Sequence, residues 1–240
     1  MVRSCHSLGG DAARHGSGFW SLAQPSVYAE GSSVAVQCWQ TWLVTPLAYT
    51  DLGARIAFYI TVGVFVLLEQ RTRLRSLLNR HGSRSDQGSL LLVIASVTVG
   101  VVAAFLLASD IPGAAITPAR WGVFSVGLVL MWAGIALRQW AITLLGRFFT
   151  VDVRVQADQT VIERGPYKWV RHPSYSGMVI TFLGMGLALG NWLSLVVLAL
   201  VPTAGLIFRI HVEERTLLNA LGEPYRHYAA SRRRLFPGLW

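Results

Sequence analysis

The sequence predicts an all-α membrane protein, a polytopic helical bundle with about five transmembrane helices. Three observations predict it. Of the 240 residues, 53% are hydrophobic and only 14% are charged, whereas soluble domains carry roughly 25% charged residues. Mean hydropathy is +0.47, and charge-free runs recur near the ~20 residues that one helix needs to cross a bilayer. The basic residues, finally, gather in alternate segments between those runs.

Within the N-terminal segment 1–50, residues 1–40 are rich in Ser and Gly, with scattered His and Arg, and no apolar core follows Arg3 to make a signal peptide. This segment is expected to be poorly ordered or to lie at the interface, with Trp39, Trp42 and Tyr49 as interfacial aromatics before the first span. The membrane domain is expected over 51–240. Its first span runs Leu52 to Leu68 and ends at Glu69-Gln70-Arg71; its second, Ser89 to Ser109, holds no charge. Asp110-Ile111-Pro112-Gly113 closes the second span, and Thr117-Pro118 precedes a third from Trp121 to Leu145. The apolar run from Gly177 to Phe208 is too long for one helix and is broken at Gly190-Asn191-Trp192. A hairpin of two helices, Ser174–Leu189 and Trp192–His211, fits it better.

The arginines test this topology independently. Arg71, Arg73, Arg75, Arg80 and Arg84 lie in the first loop, and Arg147, Arg154, Arg164, Lys168 and Arg171 lie in the third. Arg209, Arg215, Arg226, Arg232, Arg233 and Arg234 follow the last span. The 110–120 loop has only Arg120 and the Gly190 turn has none. Five spans put the three rich segments on one side, which the positive-inside rule makes cytoplasmic. The net charge of +9 is explained in this way, by anionic lipid and topology rather than nucleic acid. Arg and Ala bias with a single lysine suggests a GC-rich bacterial genome. Cys5 and Cys38 fit neither a disulfide framework nor a metal site.

Two polar clusters interrupt the apolar pattern. The first is the stretch from Gly165 to Gly177, where aromatic, basic, proline and small residues crowd together. Gly165-Pro166 reads as a turn, Pro173 biases His172 away from helix, and Pro173 can itself open a helix. Tyr167, Arg171, His172 and Tyr175 are therefore expected on a stiff elbow whose free N–H groups face an anion. The second cluster is Arg209-Ile210-His211-Val212-Glu213-Glu214-Arg215. Arg209 and Glu213 share a helix face, and the hairpin returns them to the elbow's side of the membrane. Taken alone, the Arg/Glu spacing is that of an ordinary solvated pair, and His172 that of an interfacial histidine. Arg138, about two turns inside the third span, must either snorkel or face a polar cavity. Gly186 and Gly190 suit close helix packing, and Trp132, Trp140 and Trp192 suit packing or the interface. There is no P-loop, G-x-G-x-x-G, H-E-x-x-H or G-x-S-x-G motif.

Together, Gly165-Pro166-Tyr167, Arg171-His172-Pro173-Ser174-Tyr175-Ser176-Gly177, Arg209 with Glu213-Glu214, and Gly222-Glu223-Pro224-Tyr225-Arg226-His227-Tyr228 resemble, in order, the isoprenylcysteine carboxyl methyltransferase family. These are integral membrane enzymes that use S-adenosyl-L-methionine. The resemblance covers about 134–237 and includes the closing Arg234-Leu235-Phe236-Pro237. It implies a cofactor pocket at the cytoplasmic face of the bundle. By matching position it implies cofactor contacts from Gln156, Gln159, Thr160, Val161, Ile162, Tyr167, His172, Pro173, Ser174, Tyr175 and Glu213. Gln159 stands where eukaryotic members can have histidine, and the loop before it is shorter. Arg209 matches the arginine that holds the acceptor carboxylate. The resemblance further implies methylation of a lipophilic small molecule or lipidated acceptor, with no metal, in a bacterial cytoplasmic membrane. A phospholipid, amine or thiol acceptor is the first alternative. An NADPH-dependent membrane reductase on the same scaffold is the second, and a non-enzymatic membrane protein the third.

Overall fold

Each predicted apolar stretch forms a helix. The helices are α1 (Leu52–Leu78), α2 (Ser89–Asp110), α3 (Arg120–Leu145), α4 (Pro173–Ala188), α5 (Trp192–Leu221) and the short α6 (Glu223–Ser231). The computed structural model describes residues 45–78, 83–84, 88–117, 119–156, 158–238 and 240. The expectations for residues 1–44, including Cys5, Cys38, Trp39 and Trp42, fall outside the described residues. Residues 45–50 pack against the bundle, with Ala48 fully buried and Arg120 Nη2 donating to the Thr45 carbonyl at 2.5 Å.

Helix α1 starts where the Asp51 carboxylate accepts from Ala54 N at 2.8 Å, an N-cap. It runs past the expected end at Leu68 because the residues that follow are good helix formers and Glu69 finds an inward partner. Among the described residues, α1, α2, α3 and α5 are long and apolar enough to span a membrane. The fourth expected span, α4, has 16 residues, about 24 Å of helix, short of the ~30 Å hydrocarbon core. It is walled in by its neighbours, with Phe182, Met185 and Ala188 at most 2% exposed.

The α3–α4 contact explains this enclosure. A Cβ on Gly134 would lie 2.5 Å from the Gly177 carbonyl, and one on Gly127 would lie 2.7 Å from that of Gly184. The reciprocal distances are equally short, so two antiparallel helices touch backbone to backbone at two points. Helices α2 and α5 meet through Gly100 against the Pro202 ring and through Ser194 Oγ, which donates to Ala104 O at 2.6 Å. Asn191 closes the hairpin. Its side chain accepts from Ser194 N at 3.1 Å and donates to the Leu107 and Ile111 carbonyls at 3.3 and 3.1 Å. Of the two glycines expected to aid packing, Gly186 does so against Leu195, whereas Gly190 takes φ +61° and makes the turn.

The two ends of the bundle differ as the arginines predict. At one end a two-residue strand β1 (Ser83–Arg84) pairs antiparallel with β2 (Arg154–Val155), joining the first and third basic segments. At the other end Ile116 N donates to Gly190 O at 2.7 Å, joining the two poor ones. Trp132, Trp140 and Trp192 are each about half exposed, as lipid-facing or interfacial residues should be.

Candidate functional site

The elbow is built by backbone geometry. Gly165 takes φ +59°, and the turn Gly165–Lys168 carries Pro166 in its second position. His172, with φ −122° and ψ 57°, leaves the helical region, and Pro173 opens α4. The C-terminal segment then clasps it. Arg171 N and His172 N donate to the carbonyls of Arg233 and Arg234 at 2.8 and 3.0 Å, and Ser176 Oγ to that of Leu235 at 2.5 Å. Four of the expected N–H groups are thus taken up by the protein itself, since Tyr175 N and Ser176 N close on His172 O.

Glu214 is the hub beneath this elbow. It is 5% exposed and meets Arg171 Nη1 at 2.7 Å, Arg234 Nε at 2.9 Å and His172 Nε2 at 3.3 Å. A carboxylate buried this deeply is tolerable only with such partners. His172 is therefore not interfacial: it is buried, stacked on Tyr175 with ring centroids 5.6 Å apart, with Nδ1 3.9 Å from Glu213.

Arg209 and Glu213 share a face but meet through a third residue. Arg209 Nε donates to the Tyr175 hydroxyl at 2.9 Å, and that hydroxyl donates to Glu213 at 2.7 Å. Arg209, 4% exposed, also donates to Ser89 Oγ at 3.1 Å and to the Val151 carbonyl. Arg138 faces the cavity between the helices rather than snorkelling, and it is paired there. It forms a bidentate pair with Glu69, at 2.5 and 2.7 Å, and donates to Ser174 O at 3.3 Å. Nothing local in the sequence marks Glu69 or Ser89, because their partners lie on other helices.

Two cavities meet here. One, about 850 Å3 with its mouth, opens at the basic end and is lined by Gln159, Thr160, Val161, Ile162, Tyr167, His172, Ser174, Tyr175, Arg209 and Glu213 among others. Phe148, Tyr225 and Tyr228, outside the expected set, complete its walls. The second, about 1120 Å3 with its opening included, lies between the helices and is mostly apolar, with Phe65, Val93, Met178, Phe182 and Leu206. Phe149, Thr150, Tyr175 and Arg209 line both, while Arg138 and Glu69 face the second. Gln156 and Pro173 line neither: Gln156 Nε2 donates to Arg147 O at 2.7 Å, and Pro173 is buried in the first turn of α4. Burial, with the nearby Glu213 charge, holds the Tyr167 phenol well above its ordinary pKa. Tyr225 is raised by burial and by the charges of Glu214 and Glu213.

Comparison with known proteins follows the same outline. Residues 126–219 match the Isoprenylcysteine carboxyl methyltransferase (ICMT) family. A protein of Oryza sativa subsp. indica, named a probable protein-S-isoprenylcysteine O-methyltransferase, is 32% identical over 154 residues, 62% of this chain and 80% of the relative. Protein-S-isoprenylcysteine O-methyltransferase B of Arabidopsis thaliana is 34% identical over 112 residues, 46% of this chain and 57% of that one. A solved eukaryotic intramembrane Ras methyltransferase superposes with a TM-score of 0.58 at 22% identity, covering 80% of this chain and 70% of that one, which shows the shared fold. With a relative of this identity matched over four-fifths of its own length, the chain belongs to the isoprenylcysteine carboxyl methyltransferase family.

Proposed function

We propose that this membrane carboxyl methyltransferase takes its methyl group from S-adenosyl-L-methionine and gives it to the carboxylate of a lipophilic acceptor. The acceptor is either a lipidated cysteine, as in the names of its relatives, or a small lipophilic acid. The observation that carries the reading is the meeting, at Arg209 and Tyr175, of a cavity that opens at the basic end and carries His172 and Glu213 with one that lies between the helices against Phe65, Met178, Phe182 and Leu206. A water-soluble donor and a greasy acceptor each keep a suitable solvent and still meet.

The donor set of the first cavity fits such a cofactor. Glu213 presents a carboxylate to a cationic group, and the rings of Phe148, Tyr167 and Tyr225 offer faces to a sulfonium or an adenine. Gln159, Thr160, Val161 and Ile162 form a loop wall against it, and His172, Ser174 and Tyr175 form the wall on the α4 side. In this reading Gln156 and Pro173 shape those walls from behind. S-adenosylmethionine, when bound, supplies an activated methyl group, and its transfer to a carboxylate moves no proton.

The residues are then left to orient and to exclude water. Arg209 holds the acceptor carboxylate by charge-assisted hydrogen bonds. Its Nε is already fixed on Tyr175, so the guanidinium plane is set before the acceptor arrives, and orientation supplies much of the rate. The basic end faces the cytoplasm by the positive-inside rule, in a bacterial cytoplasmic membrane. Because its named relatives are carboxyl methyltransferases, this acceptor chemistry is favoured over amine or thiol transfer and over an NADPH reductase.

Incubating the purified protein with host lipid extract and methyl-labelled S-adenosylmethionine should yield a base-labile labelled methyl ester. Arg209→Ala should lower turnover about 100-fold, the scale of a lost orienting contact, and leave donor affinity nearly unchanged. Equal loss of both would move Arg209 to the donor's side.

A further inference from the structure

A third cleft lies between α1 and α3 at the basic end, lined by Arg71, Thr72, Arg75, Ser76, Gln139 and Thr143. Arg71 and Arg75 are four apart on α1, so they share a face, and both are exposed. Among the described residues neither has an ion-pair or hydrogen-bond partner, and no acidic side chain lines the cleft. The positive-inside rule explains arginines in this loop, but it does not require two that are unpaired among the described residues to face a concave site.

The level of the cleft identifies its occupant. On α3, Trp140 is 48% exposed beside Gln139, and on α1, Leu74 and Leu77 are 60% and 49% exposed between and beyond the arginines. Aromatics and aliphatics left open at a helix end mark the boundary between acyl chains and headgroups. Basic pockets between helices at that depth suit phosphate-bearing headgroups. We propose that this cleft binds the phosphodiester headgroup of an anionic membrane lipid, with guanidinium donors from Arg71 and Arg75 and the amide of Gln139.

The cleft is coupled to the methyl-transfer site. Ser76 Oγ accepts from Val151 N at 2.7 Å, and the Val151 carbonyl accepts from Arg209. Phe149 lines this cleft and both cavities of the site. A bound headgroup therefore braces the segment on which Arg209 rests.

The test is native mass spectrometry of the full chain released from nanodiscs of phosphatidylcholine doped with phosphatidylglycerol. Wild type should retain one phosphatidylglycerol. Arg71→Gln/Arg75→Gln should retain it on the order of 30-fold less, the loss expected from two arginine contacts. Thr143→Glu, which puts a carboxylate at an exposed position in the cleft, should also expel it, and Arg226→Gln on α6 should not. Thermal unfolding in phosphatidylcholine alone checks that each variant is folded. Retention by the cleft variants equal to that of wild type would overturn the site. Displacement of the lipid by millimolar inorganic phosphate would overturn the lipid as its occupant. Because the readout needs no methyl transfer, its failure would leave the catalytic reading standing.

Discussion

Tyr175 holds together what the sequence separates. Its hydroxyl accepts from Arg209 and donates to Glu213, while its ring stacks on His172. Tyr175→Phe keeps the ring and removes both bonds, leaving the Arg209 and Glu213 charges without a shared partner. A hydrogen bond to a charged group is worth about 1.5–3 kcal/mol, so kcat/KM should fall roughly 10- to 150-fold. Steady-state kinetics with thermal unfolding in parallel check this, and an unchanged kcat/KM would show that the bridge positions nothing. Tyr175, Arg209 and Glu213 could each be named from sequence, because motif spacing marks them. Their common hydroxyl could not, since it depends on how α4 lies against α5. The same limit hid Glu69, which takes up Arg138 from a helix 69 residues earlier and makes its charge tolerable inside the bundle.

At the scale of elements, close backbone contact carries the bundle. A Cβ on Gly134 would sit 2.5 Å from Gly177 O and 2.6 Å from Thr181 N, both rigid backbone atoms. Gly134→Ala should therefore cost about 1–3 kcal/mol through overpacking. Gly63→Ala on α1, where nothing lies within 4 Å, should gain about 0.5–1 kcal/mol in helix propensity. Unfolding in mixed detergent micelles compares the two, and equal effects would refute the contact. The C-terminal clasp gives a second test. Tyr228 Oη donates to Tyr167 O at 2.9 Å. Burial, with the nearby Glu163 charge, raises the Tyr228 pKa, and Tyr225 and Tyr167 are raised likewise. Each folded pKa lies above the unfolded value near 10. The stability these phenols contribute is thus complete below about pH 10 and lost as pH rises further toward the folded pKa. Tyrosinate absorbance should lag the ordinary titration until the clasp opens. An ordinary titration of all seven tyrosines would count against the burial.

For the whole molecule, helix positions were legible because apolar length, turn residues and arginine placement are each local or additive along the chain. The expected and observed ends of α2 and α3 differ by a single residue. Less legible was the depth of each helix. That α4 is walled in by its neighbours follows from its glycine contacts with α3, which no hydropathy window contains. The clasp of residues 232–235 on the elbow was equally hidden, although its motif was visible. This architecture also bears on how activity depends on pH. A carboxylate is its own nucleophile, and free carboxyl groups ionise near pH 4, so an acceptor of this class needs no base from the protein. His172 and Glu214 are spent on each other and on Arg171 and Arg234, which suits a structural role better than proton removal. Turnover under saturating donor should therefore stay nearly flat from about pH 5.5 to 9. An amine acceptor would instead give a rising limb set by its own deprotonation or by a base. Rate against pH in nanodiscs separates the two, and a limb that shifts with His172→Gln would assign proton transfer to that imidazole and overturn the carboxylate reading.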